Sequence, residues 1–162
     1  MQIHGLIHTF PKYIKTFIAA FVLVLSVGYF TGLMFVNQTD SSSPDGMEIN
    51  YLGNEENEEA EVMVFKKGER EMLTILHTHV LSISFIFFLL GGLVAITSLP
   101  AKLKSFLMVE PFISIILTFG GIYFLWNGVL WMKYIVMISG ILMTLVFVVS
   151  AVAILLQLSK KG

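Results

Sequence analysis

The side chains most able to do chemistry in this sequence are four histidines, His4, His8, His77 and His79, and one isolated carboxylate, Glu110. Imidazole suits copper, zinc and haem iron. His77 and His79 are two residues apart, and on a regular helix such positions point about 200° apart, so they cannot chelate one ion unless the helix unwinds. Steps of seven place His77 in a stripe with Ser84, Gly91 and Ser98. Small and polar residues at that spacing mark the face a membrane helix packs on its neighbours. The stripe predicts that His77 faces the bundle interior near one mouth, as a ligand, a proton-transfer group or a hydrogen-bonded imidazole. His79 shares its side with Ile83, Ile86 and Leu90, which predicts a lipid or interface position. His77 and His79 are the candidate metal ligands. Met47, Met63, Met72, Met132 and Met137 cluster toward the same side, and thioether with imidazole is a Cu(I)-preferring set. Plain core filling is the alternative use of methionine.

His4 and His8 are four apart and share a helical face. With Ile3, Leu6, Ile7 and Phe10 they suggest a short amphipathic surface helix before Pro11, or a two-histidine clip. Glu110 directly precedes Pro111 and admits two readings. Either the helix begins at Pro111, a favoured first position, with Glu110 at headgroup level, or Glu110 is buried about two turns inside a continuous span. Glu110, Ser114, Thr118 and Gly121 share one helical face in either case.

The elements that must position these groups follow from composition. The chain has 162 residues, 56% hydrophobic and only 13% charged, with a mean hydropathy of +0.85. A soluble domain is nearer a quarter charged. A large soluble catalytic domain, a basic nucleic-acid-binding protein and a disordered chain are excluded. The absence of cysteine removes disulfides, thiolate metal sites and iron–sulfur clusters.

Four apolar runs are long enough for a bilayer core of about 30 Å, which needs roughly 20 helical residues: 16–36, 80–99, 105–126 and 134–158. Backbone groups in lipid must bond internally, and the runs do not alternate as barrel strands would, so they are helices. The expected fold is an all-α membrane protein, an antiparallel four-transmembrane-helix bundle forming one domain over 1–162. Lys12, Lys15, Lys102, Lys104, Lys160 and Lys161 all fall on one side. The positive-inside rule makes that side cytoplasmic, with both termini there, in a bacterial inner membrane. The first run is longer than a signal peptide's apolar core and no Ala-x-Ala-like site follows it, so it is expected to remain as an anchor. Trp126, Trp131 and Tyr134 form an aromatic belt at the other interface. Gly28 with Gly32, Gly91 with Ala95, and Gly140 with Thr144 are spaced for close helix packing.

The long outer loop, 37–72, holds ten of the eleven acids. Its first part, rich in Ser, Asp, Pro and Gly, reads as a flexible tether. The acids beyond it read as a solvated surface or as a docking surface for a cation or a cationic membrane or periplasmic protein. Glu69 and Glu71 suit the N-terminus of the second membrane helix. The run Tyr51, Gly53, Asn54, Glu55, then Glu71-Met72-Leu73 and the His77-x-His79 pair, resembles a pattern in small uncharacterised bacterial four-span membrane proteins. The resemblance implies an inner-membrane protein whose outer mouth matters, with Asn54, Glu55 and Glu71 as further candidates, and implies no reaction.

A non-catalytic accessory or subunit protein with an outward-facing histidine site, serving redox or metal-handling machinery, is the leading functional expectation; copper, zinc or haem is the cofactor it would take. A purely structural assembly protein is the alternative. Haem binding is disfavoured because the first, third and fourth spans carry no histidine. A transporter needs polar groups near the midplane, which are scarce. An enzyme is disfavoured because no nucleophile, base and orienting group converge.

Overall fold

The computed structural model describes residues 4–57 and 59–160. A short 3-10 turn, Leu6–Thr9, precedes five α-helices: α1 (Lys12–Gln38), α2 (Pro44–Leu52), α3 (Glu69–Ala95), α4 (Ala101–Trp126) and α5 (Met132–Leu158). There is no strand among the described residues. α1, α3, α4 and α5 are long and apolar enough to cross a membrane. The chain is an all-helical integral membrane protein, and each of its four long helices matches one of the four apolar runs.

The helices outrun the apolar windows at most ends. α3 begins at Glu69, well before residue 80, so His77 and His79 lie inside it. At about 1.5 Å per residue its 27 residues reach roughly 40 Å, more than a bilayer core, and its first turns project. α3 stops at Ala95, short of residue 99. Pro100 disfavours helix just before it, and Lys104 Nζ donates to the freed carbonyls of Ala95 and Thr97 at 3.0 and 2.8 Å.

α3, α4 and α5 pack on one another, and α1 is appended to α5. The core is layered along α5: Val136, Ser139, Met143, Phe147, Ser150, Ile154 and Gln157 are buried at steps of three or four, with Val146 beside Phe147. α4 and α5 approach most closely at Gly121, where an added Cβ would stand 2.7 Å from Val136 Cγ2. One turn away, the hydroxyls of Thr118 and Ser139 share a hydrogen bond of 2.7 Å. α1 holds on through Ile18 and Val22 and through Tyr29, whose ring stacks on Phe147 at 3.9 Å. Its Gly28 and Gly32 face open space, contrary to the packing expected of that spacing. Gly91 does pack, against Met108 of α4.

The segment read as a flexible tether is folded. Ser43 caps α2, its Oγ accepting from the Gly46 amide at 3.0 Å, with Pro44 in the first turn. Gly46 has no room for a side chain, because a Cβ would fall 2.1 Å from the Asp40 carbonyl oxygen. Ser-Pro-Asp-Gly thus begins a helix here instead of closing a loop.

Candidate functional site

α2 and residues 53–57 and 59–68 form a headpiece over one end of the bundle, and the Tyr51 to Glu55 run is its clasp. Gly53 has φ 83 and lies so close to the returning chain that a Cβ would meet Lys66 N and Val64 O at 2.7 Å. Asn54 donates from its amide to Val64 O at 2.9 Å and from Nδ2 to Val62 O at 2.9 Å. Its Oδ1 accepts from the Val64 amide at 2.7 Å. Glu55 accepts from the Lys66 amide at 3.1 Å, and the Lys67 amide donates to Tyr51 O at 3.3 Å. Burial pushes the Tyr51 hydroxyl above its usual titration range. Asn54 and Glu55 therefore act within the chain, closing residues 51–55 on 62–67. Glu71 accepts from Lys67 Nζ at 2.8 Å, one turn into α3.

The headpiece rests on both α4 and α5. The Trp126 indole N–H, at the end of α4, donates to Lys67 O at 2.8 Å, and Lys66 Nζ lies 5.2 Å above the same ring. Lys133, in the first turn of α5 before the apolar run 134–158, pairs with Glu48 at 2.7 Å and Asp45 at 3.2 Å. Hydrogen bonding from Glu48 and then Asp45 raises the Lys133 titration above the ordinary lysine value. Met47 and Met72 are buried as packing beneath it. The acids left outward, Glu56, Glu59 and Glu61, are exposed.

Neither histidine is buried, and it is His79, not His77, that reaches toward another helix. His77 is exposed and lines a shallow surface depression with Glu69, Arg70, Leu73 and Thr74. His79, also solvent- or lipid-accessible, turns toward α4: its ring lies 5.4 Å from that of Phe119, and Nδ1 is 2.8 Å from Ile75 O. The buried stripe of α3 is Met72, Phe87, Leu90, Gly91 and Val94, and His79 flanks it. In hydrocarbon both faces are apolar, so small residues alone did not distinguish inside from lipid. The two rings leave in different directions, and no three His, Asp or Glu side chains converge as a metal-binding group among the described residues.

Glu110 lies inside a continuous α4, with Pro111 tolerated one turn from Ser114. The reading that starts the helix at Pro111 is thereby corrected: the chain runs helical from Ala101, and Pro100 takes the position before its first turn. Glu110, Ser114, Thr118 and Gly121 are all buried on the face their spacing predicted. The Ser114 hydroxyl donates to Glu110 Oε1.

A second polar node at the end carrying the termini escaped sequence reasoning. His8 is not on an amphipathic surface helix. It sits in the 3-10 turn, with Nδ1 3.1 Å from Gln157 O and Nε2 3.2 Å from Ser98 Oγ. Gln157 Oε1 accepts from the Ser98 amide at 2.7 Å and its hydroxyl at 3.0 Å. The Gly5 and Ile7 amides donate to Thr97 and Ile96, and Ile7 is fully buried. His4 is exposed. A glutamine near the end of an apolar run was the one signal available.

Long apolar helices, packed through small residues and joined by a polar headpiece, define a multi-span helical membrane protein. The chain belongs to the Aq_1264_TM family, a transmembrane helical domain whose match covers residues 40–162. α1 lies outside that match. No curated protein and no solved structure matches the chain significantly.

Proposed function

We propose that this protein is a non-catalytic accessory subunit of a bacterial inner membrane, with cytoplasmic termini and its headpiece presented outward to a cationic protein partner. The observation that carries this reading is a folded headpiece whose exposed acids do no internal work. Glu55 and Glu71 are used within the fold, and Asp45 and Glu48 are paired to Lys133. Glu56, Glu59 and Glu61 stand exposed and make no ion pair among the described residues. Like charges held on a fixed scaffold repel one another, and a positive partner relieves that repulsion and is steered by it. A metal-handling version of the role would draw on His77 and His79, but their divergence gives it no shared site, so the headpiece supports the reading better.

The test is co-purification from native membranes after cross-linking at low ionic strength. Glu56→Lys, Glu59→Lys and Glu61→Lys together should abolish recovery of a basic partner, and salt should weaken recovery by the wild type. Recovery of the same partner by the charge-reversed protein would end the reading. A structural assembly role has its own supporting observation in Gly28 and Gly32, which offer α1 a close-packing face that no described residue covers.

A further inference from the structure

The polar groups that packing leaves over lie within about one turn of each other in depth. Glu110 is 7% exposed, and its Oε2, fully enclosed, has no hydrogen-bond partner. Ser150 on α5 is 1% exposed, and its hydroxyl has none either. These are the two enclosed side-chain oxygens left without a partner among the described residues. Glu110 lies about 14 Å along α4 from Ala101, and Ser150 about 12 Å from the end of α5, at 1.5 Å per residue. The helices are antiparallel, so both groups lie toward the end that carries the termini. The register fixed by Thr118 with Ser139 and Gly121 with Val136 carries residue 110 to the level of Phe147, one turn from Ser150.

Among the described residues, nothing pairs a compensating charge with Glu110. Phe147 is covered by Tyr29 of α1 and meets Phe87 of α3 edge-on at 6.2 Å. The Tyr29 hydroxyl is engaged with Thr144 at 3.1 Å. Tyr29 is the titratable group that α1 brings to this layer; the apolar run of α3 contains none, and that of α5 only Tyr134, at its far end. Lys104, the nearest base along α4, is committed to Ala95 O and Thr97 O. Glu110 makes no ion pair among the described residues. A carboxylate enclosed in hydrocarbon without a positive partner is strongly disfavoured.

We infer that Glu110 and Ser150 form an intramembrane site for one monovalent cation, a proton or an alkali-metal ion, entering from the end of the bundle that carries the termini. One carboxylate supplies one formal charge, and hydroxyl oxygens complete a hard donor set with neither nitrogen nor sulfur, which suits these cations and not copper. The site is independent of the headpiece reading and survives its failure.

The test is labelling of the full-length protein in liposomes with dicyclohexylcarbodiimide. A protonated carboxyl in an apolar pocket adds its oxygen to the carbodiimide carbon and its proton to nitrogen, and the adduct rearranges to a stable acylurea. Peptide mass spectrometry should find Glu110 modified and the headpiece acids unmodified, with no label at this position in Glu110→Gln. A rate that sodium or potassium chloride lowers at constant pH, against choline chloride, assigns the alkali ion. A rate that responds to pH alone assigns the proton. Ser150→Ala should shift whichever profile is found without lowering the melting temperature. Glu110 left unlabelled in the folded wild type, or labelled at a rate indifferent to both pH and alkali salts, would overturn the site. Because the wild type carries that readout, a poorly folding Glu110→Gln leaves the answer intact.

Discussion

Asn54 and Val64 hold each other by two hydrogen bonds, one in each direction: the Asn54 amide reaches Val64 O at 2.9 Å, and the Val64 amide reaches Asn54 Oδ1 at 2.7 Å. With the third bond to Val62 O, the asparagine side chain substitutes for a missing strand pair. Asn54→Ala strands one amide and one carbonyl, a loss of about 1–3 kcal/mol where such groups stay dry. Limited proteolysis should cut residues 56–63 several-fold faster in Asn54→Ala, with the membrane helices still protected. Asn54→Asp keeps the acceptor and should fall between. Equal cutting of all three proteins would show that the clasp does not depend on this side chain.

The Lys133 contact predicts both a hierarchy and a pH response. Asp45 is 89% exposed and Glu48 30%, so Glu48→Gln should lower the melting temperature more than Asp45→Asn. Lys133 titrates above its unfolded value, so its contribution is fully present below the ordinary lysine pKa of about 10.4 and is lost as pH rises through the raised value. Thermal melts in detergent should show wild-type stability falling in that alkaline window, and Lys133→Met should lack that component.

Gly121 tests the α4–α5 seam. Gly121→Ala sets a methyl group where Val136 Cγ2 stands 2.7 Å away, and the overpacking should cost about 1–3 kcal/mol. Adding Val136→Ala should restore most of that loss, leaving the double variant more stable than Gly121→Ala alone. Strict additivity of the two changes would show that the helices do not meet there.

Topology is accessible to labelling. Ser42 and Lys160 are exposed at opposite ends of the bundle. Cysteines at these positions should react with an impermeant maleimide from opposite sides, Ser42→Cys from outside intact cells and Lys160→Cys only after permeabilisation. Reaction of both from outside would refute cytoplasmic termini.

The long helices were legible because length and apolarity suffice to identify a span, and the face from Glu110 to Gly121 was legible because its polar groups repeat at helical spacing. The phase of α3 was not. His77, Ser84, Gly91 and Ser98 form a regular small-residue stripe, yet of these only Gly91 is buried, on a packed face that runs through Met72, Phe87, Leu90 and Val94, and hydropathy is silent between lipid and core. The clasp was invisible for another reason. Tyr51, Asn54 and Glu55 were noticed as a pattern, but their partners are backbone groups of Val62, Val64, Lys66 and Lys67, which sequence does not advertise. His8 was likewise placed by a carbonyl and a serine 149 and 90 positions away.

Trp126 closes α4 and Lys133 opens α5, and each bears one foot of the headpiece. A bridge with its two abutments on different helices is a strain gauge. If α4 slides or tilts against α5, the abutments separate. The acidic surface then shears at a point roughly 24 Å from the carboxylate, counted along the helix at 1.5 Å per residue. The headpiece thus registers the relative position of the two helices, α4 and α5, on which it stands.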